Sequence, residues 1–262
     1  MKIIPIKAFR DNYIWLIRDL ETVSNKNQSS SPTIIIDPGD GLPVIRYLEE
    51  NQCNPLAIFI THHHYDHIDG IKDLLDYKHI PVYGPATESI PFMTHPLGDG
   101  DDIMISDSVT FRVLKVPGHT QGHIAYLASG TLFCGDTLFA CGCGRLFDGT
   151  AEQLYHSLNR FAALPSNTKV YCTHEYTLSN IKFALEIDPE NPELQQRKLE
   201  TEKLRKAGCP SLPTTIGLEK STNPFMRCNV QTIKIAVERH FNAHYRTEME
   251  IFTALRKWKD TY

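Results

Sequence analysis

The chain has 262 residues, 41% of them apolar, and a formal net charge of −4. That apolar share supports a buried core and excludes a disordered chain, while the length suits one large domain or an ordinary domain with a smaller companion. Mild acidity provides no basic field for nucleic acid, and no run reaches the ~18 apolar residues that a membrane span needs, so neither partner is expected.

From the N-terminus, MKIIPIKAFRDNY reads as a first strand at 3–6 rather than a secretion signal. Pro5 and Lys7 break its apolar stretch, and no small-residue cleavage site follows. Further β-branched runs predict strands at 13–17, 33–36, 56–60, 109–116 and Lys169–Cys172. Two helices alternate with them: 42–51, with Val44, Ile45 and Leu48 on one face, and Ile71–Tyr77. Residues 21–32 contain SNKNQSSS and read as a mobile hairpin loop without chemistry. Thr150 caps a helix, Gln153 completes its capping box, and Leu154, Leu158 and Phe161 share a face. Beyond Tyr171 strand patterns nearly vanish. Asn191 and Pro192 open a helix that Gly208 closes, 229–240 is another, and Thr247 with Glu250 starts the last. These patterns predict a β-rich domain at 1–174 and a helical domain at 175–262. The seven cysteines are odd in number and scattered apart from Cys141 and Cys143, which implies reduced thiols and a cytoplasmic location.

The densest chemistry is THHHYDH at 61–67, placed on the loop that ends the apolar run 56–60. His62 and His64 alternate, so an extended backbone points both one way. Asp66 and His67 then turn into the next helix and face a second point. Neutral imidazoles with a hard carboxylate suit zinc, iron or manganese. Three later residues also follow strand-like runs: His119 in PGHTQGH, Asp136 in FCGDT and His174 in YCTHEY. A carboxylate can give one oxygen to each of two cations, which makes Asp136 the candidate bridge. A lone histidine is more often structural than ligating, but His-x-His-x-Asp-His arises by chance in on the order of one such chain per thousand. His63 points the opposite way and reads as a bystander, and His123 as structural support. Cys141-Gly142-Cys143-Gly144 reads as a glycine turn, because a thiolate site needs a second pair of ligands.

THHHYDH, PGHT, FCGDT and CTHEY, in this order, resemble the metallo-β-lactamase superfamily. DNYIW at 11–15, IDPGD at 36–40, CGCGRLFDGT at 141–150, THEYTLSN at 173–180, TNPFMR at 222–227 and LRKWKD at 255–260 resemble the glyoxalase II (hydroxyacylglutathione hydrolase) family over nearly the whole chain. The resemblance implies an α+β fold, a four-layer αββα sandwich with a binuclear site, followed by an all-helical domain that helps hold glutathione. It implies His62, His64 and His119 on one metal, Asp66, His67 and His174 on the other, Asp136 bridging, and Asp37 ordering a ligand from behind. It implies substrate contacts from Arg145, Tyr176, Arg256, Lys259 and Phe147, the last where some members carry tyrosine. Departures are Asp69 in place of a usual glycine, Cys141 in place of a small residue, Asp148 in place of glutamate, and a longer 21–32 loop. None removes a metal ligand.

The reaction so implied is hydrolysis of S-D-lactoylglutathione and related S-(2-hydroxyacyl)glutathione thioesters to D-lactate and glutathione, the second step of methylglyoxal detoxification. Two divalent metal ions, zinc with iron or manganese as alternatives, would hold the attacking hydroxide, with Asp66 and Asp136 orienting it. A cytoplasmic monomer acting on a small molecule is expected. Glutathione carries two carboxylates, so cationic side chains are its expected readers. Arg256 and Lys259, three apart on a predicted helix, would border its apolar stripe of Ile251, Leu255 and Trp258. Such a pair is more often a solvated face, and only the resemblance favours function. The nearest alternative is a glutathione persulfide dioxygenase of the same superfamily, with a single iron. A nuclease is disfavoured by net charge, and a structural zinc domain by the oxygen and nitrogen donors.

Overall fold

Buried strands that alternate between two covered faces build the first part of the molecule. A computed structural model describes residues 1–18, 20, 30–106 and 109–262. They divide into two compact units, Met1–Lys115 with Gly122–Gly135, and Val116–Gln121 with Asp136–Tyr262.

In the first unit, Lys2–Ala8, Asn12–Arg18, Ser31–Ile36, Cys53–Phe59, Val82–Pro85 and His95–Leu97 form one sheet in that order. The first three strands pair antiparallel and the rest parallel. Helices Gly41–Glu50 and Ile71–Tyr77 make the crossovers, and their Val44, Leu48, Ile71 and Leu74 pack in one cluster with Ile14, Leu16, Ile35 and Ile58. The residue after Ile58 faces the other way, as period-two geometry requires. The Phe59 ring meets Phe111 at 5.2 Å and Tyr126 at 4.8 Å. Those rings come from an antiparallel run of Asp102–Ser106, Val109–Lys115, Ile124–Ala128 and Thr131–Gly135. Burial on both faces explains the apolar runs of Asn12–Arg18, Ser31–Ile36 and Thr131–Gly135, whereas Val109–Lys115 alternates buried and exposed residues. The parallel neighbours Ser31–Ile36 and Cys53–Phe59 end at one edge, where Asp37 and the 61–67 loop emerge.

The second unit is mostly helical: Ala151–Ala162, Thr177–Ile187, Pro192–Lys206, Ile216–Thr222, Gln231–Phe241 and Glu248–Thr261. Both predicted capping boxes form, with Thr150 and Gln153 and with Thr247 and Glu250 each bonded reciprocally. Asn191 caps Glu193 and Leu194 ahead of Pro192. A short hairpin, Leu138–Phe139 against Gly142–Cys143, and the strand pair Lys169–Cys172 with Thr214–Thr215 complete the unit. Residues 116–121 and 136–174 belong to it, tied in by bonds such as Ser157 Oγ to the Pro117 carbonyl at 2.7 Å.

The predicted 21–32 hairpin loop lies, for 21–29, outside the described residues; Ser31 and Pro32 already belong to the third strand. Among the described residues no helix is long and apolar enough to cross a membrane. Of the seven cysteines only Cys209 is exposed. A thiol reagent is therefore expected to label one cysteine rapidly in the native protein and the other six only on unfolding. Fast labelling of several thiols under native conditions would contradict the packing.

Candidate metal centre

The first half of the site is built around one buried carboxylate. Asp37 ends its strand at φ 51°, a left-handed conformation that aspartate tolerates better than most residues. Its Oδ1 accepts the Thr61 backbone N–H and its Oδ2 accepts the Thr61 hydroxyl, both at 2.8 Å. With its proton committed to Asp37, the hydroxyl accepts from His62 Nδ1 at 3.1 Å. His67 Nδ1 lies 3.1 Å from the same Asp37 oxygen. His62 thus carries its proton on Nδ1 and presents the lone pair of Nε2, the form in which histidine ligates, while His67 Nδ1 faces the Asp37 carboxylate. His62 Nε2 stands 3.0 Å from His64 Nδ1, and His67 Nε2 3.8 Å from Asp66 Oδ2. The Asn12 amide donates to Asp66 Oδ2 at 2.9 Å and fixes that carboxylate. Gly39 permits the arrangement, since a Cβ there would overlap the Asp66 carbonyl.

His63 turns aside, as its alternation predicts. Its backbone N–H and Nδ1 meet Glu88 Oε2 at 2.7 and 2.9 Å, while Glu88 Oε1 accepts Gly122 N–H at 3.1 Å. His123 stacks on His62 at 4.7 Å between centroids and acts as a wall. Asp69 takes the C-terminal end of the short helix Tyr65–Ile68 at φ −63°, a conformation with no need for glycine.

The other unit carries its own donor group, from three of its segments. His119 Nδ1 donates to the Arg145 carbonyl at 2.7 Å, which turns its Nε2 toward Asp136 Oδ2, 3.6 Å away. His174 Nε2 reaches the same oxygen at 3.2 Å. The His174 ring lies flat on Tyr176, 4.7 Å between centroids and 4° between planes. His119, Asp136 and His174 are all buried.

These spacings carry a test of metal fit. Two donors each ~2.1 Å from one tetrahedral ion stand ~3.4 Å apart. The observed separations of 3.0, 3.2 and 3.6 Å bracket that value, and the donors are lone-pair nitrogens and carboxylate oxygens. Both halves fit divalent-metal ligation. Asp37→Asn is expected to weaken metal retention about tenfold, since a partner that orients ligands typically contributes that much or more. A chelator titration measures it, and unchanged retention would remove Asp37 from this role.

Cys141 and Cys143 belong to none of the donor clusters found among the described residues. Burial pushes both thiols up to about 11, so neither is a thiolate at neutral pH. Cys141 lies in the turn of the hairpin, and Gly142–Cys143, expected to be part of a glycine turn, form its second strand.

The substrate-side residues are less uniform. Arg145 is exposed, its Nε 3.5 Å from Asp260 Oδ1. Phe147 is 63% exposed, with its ring edge-on to His119 at 5.1 Å. Lys259 is half-buried, its ammonium 4.8 Å above Phe183 and 5.4 Å above Tyr262. Burial, reinforced by the Arg256 charge, lowers its pKa to about 8. Arg256 borders the apolar stripe of its helix as its spacing predicts. It is 5% exposed, and Nη1 donates to the Cys143 and Gly144 carbonyls at 3.0 and 3.3 Å while Nη2 meets Asp260 at 3.0 Å. One nitrogen, Nη1, serves both successive carbonyls, so Arg256 clamps backbone. Asn12, Thr61, Glu88 and Asp260 are the supporting residues that sequence reasoning missed.

Residues 27–174 match the metallo-β-lactamase superfamily model, and 175–262 match the hydroxyacylglutathione hydrolase C-terminus model. The hydroxyacylglutathione hydrolase of Nitrosomonas eutropha is 46% identical over 261 residues, covering 99% of this chain and 98% of that one. The chain belongs to the hydroxyacylglutathione hydrolase family. Among solved structures, ETHE1 from Myxococcus xanthus superposes with TM-score 0.67 at 25% identity, covering 98% of this chain and 90% of that chain. The di-iron-bound form of TTHA1623 superposes with TM-score 0.58 at 25% identity, covering 85% and 99%. This hydroxyacylglutathione hydrolase family member therefore has the αββα metallo-β-lactamase fold with a helical C-terminal region. It is a thioester hydrolase, and its histidines and aspartates form a divalent-metal site.

Proposed function

We propose that the chain hydrolyses S-D-lactoylglutathione and related 2-hydroxyacyl thioesters of glutathione, using two divalent cations, preferentially zinc. In this reading His62, His64 and His119 would hold one cation, Asp66, His67 and His174 would hold the other, and Asp136 would be shared between them. The observation that carries it is the approach of His119 and His174 to a single oxygen of Asp136. Residues 1–174 serve as the metal-bearing catalytic part and 175–262 as the glutathione-binding part, in a monomer with reduced thiols suited to the cytoplasm.

Such cations supply a nucleophilic water with a pKa near 7 and polarise the acyl carbonyl. Through the Thr61 hydroxyl Asp37 keeps His62 in the ligating tautomer, and its carboxylate faces His67 Nδ1. Asn12 holds Asp66, so its carboxylate stays in one orientation while negative charge develops on the acyl oxygen. Arg145 and Lys259 read the glutathione carboxylates, and the stacked Tyr176 offers its phenol to the peptide backbone. The apolar ring of Phe147 shields His119 from bulk water. A thiol pKa of ~8.5 makes thiolate a good leaving group, so no dedicated proton donor is required.

A one-iron oxygenase would keep His62, His64 or an equivalent, His119 and a carboxylate, and would leave Asp66, His67 and His174 without a task. Thiol release from S-D-lactoylglutathione, with metal analysis on the same sample, is the test. Expected are thioester turnover and two bound cations per chain. Oxygen uptake with glutathione persulfide and a single iron would refute the proposal.

A further inference from the structure

The hairpin of Leu138–Phe139 and Gly142–Cys143 contributes no side chain to ligation or substrate binding, yet buried polar side chains from three later segments hold its backbone. Glu219 is 0% exposed, and its Oε2 accepts the Cys141 N–H at 2.8 Å and the Asn223 amide at 2.9 Å. The Asn223 amide also reaches the Phe139 and Gly142 carbonyls at 3.3 and 2.9 Å. Asn180 donates to the Ala140 carbonyl at 3.1 Å. The second oxygen of Glu219 accepts from Arg197 and Thr214, and Arg197 bonds Thr222 as well. Arg256 closes the far end at Cys143 and Gly144.

Two features argue that this network does more than stabilise. A buried ion pair is a poor source of net stability, because desolvation opposes its attraction. Cys141 is held at φ 61°, a strained conformation for a residue with a Cβ, which persists only where its surroundings impose it. What leaves the hairpin is the turn at Gly144 and Arg145. A Cβ on Gly144 would overlap the Asp136 carbonyl and crowd His119, so the turn lies tightly against both. The Arg145 carbonyl receives the His119 Nδ1 proton, and Phe147 N–H returns to the His119 carbonyl at 3.1 Å.

We propose that the buried Arg197–Glu219 pair, with Asn223, positions the metal ligand His119. It sets the 139–145 backbone so that the Arg145 carbonyl fixes which imidazole nitrogen faces the cation. This rests on the metal reading above and extends it: the helical C-terminal segment governs metal affinity as well as substrate capture. Glu219→Gln keeps the volume but replaces one acceptor by a donor, so Cys141 N–H, Asn223 and Arg197 can no longer all be satisfied.

The experiment is chelator competition on the metal-loaded protein, read beside thermal melting. Glu219→Gln is expected to give up metal at about tenfold lower chelator concentration. Val237→Ala, a cavity in the buried face of Gln231–Phe241, serves as a control that lowers melting temperature and keeps the wild-type metal affinity. If Glu219→Gln does not fold, Asn223→Ala is measured in its place with the same expectation. Unchanged affinity in the network variant, or an equal loss in Val237→Ala, overturns the positioning role alone. A wild-type chain that takes up no metal overturns both this proposal and the reading beneath it.

Discussion

Asp136→Ala is expected to lose bound metal and to lower kcat/KM by about a thousandfold or more. The carboxylate stands between two imidazoles, with His174 Nε2 at 3.2 Å and His119 Nε2 at 3.6 Å from one of its oxygens. Removing it leaves neutral nitrogens to confront cations across a buried gap. Metal assistance supplies several kcal/mol of transition-state stabilisation, and each ~1.4 kcal/mol is a factor of ten in rate. Asp136→Asn preserves shape and removes the charge, so it should fall in the same direction by less. Metal content and thioester turnover on one sample decide the matter, with circular dichroism showing that the variant is folded. Full metal content with a near-normal rate would end the bridging assignment.

Much of this centre is legible in the sequence because its ligands follow local rules. The alternation of His62 and His64 survives folding, and His63 does turn away to Glu88. Capping signals are equally local, and those at Thr150, Asn191 and Thr247 are realised. What escapes is support that arrives from afar. Asn12 meets Asp66 from 54 positions away, Glu88 meets His63 from 25, and Glu219 meets Cys141 from 78. No periodicity marks an asparagine or glutamate as the partner of a remote backbone N–H. Helix Thr177–Ile187 goes unpredicted for a different reason. Tyr176 precedes it without a side-chain cap, and buried residues surround much of its circumference, so neither a start signal nor a clear stripe exists. Arg256 borders the apolar stripe as its spacing predicts, and what the sequence does not show is that the carbonyls of Cys143 and Gly144 draw its guanidinium inward.

In the proposed reading Arg145 and Lys259 bind the glutathione carboxylates, and on that reading the double variant Arg145→Ala/Lys259→Met should raise KM about a hundredfold with little change in kcat. A charge-assisted hydrogen bond contributes about 1.5–3 kcal/mol, and taking about 1.4 kcal/mol for each half-solvated cation gives two factors of ten. Lys259 adds a pH signature. Burial and the neighbouring Arg256 charge place its pKa at about 8 against an ordinary 10.5. Below pH 8 the ammonium is present and the carboxylate is bound; above it the charge is lost, so KM should climb as pH passes through about 8. Binding of an anion raises the lysine pKa in the complex, and the limb therefore belongs to kcat/KM rather than kcat. Stability responds with the opposite sense: a depressed lysine pKa disfavours the protonated fold at low pH, and that penalty fades as pH rises from about 8 toward 10.5. Lys259→Arg stays charged throughout and should erase the limb while keeping KM low. Initial rates across about pH 7 to about 9.5 test this. A KM that stays flat in the wild type, or a limb that persists unchanged in Lys259→Arg, would show that another group reads the substrate's charge.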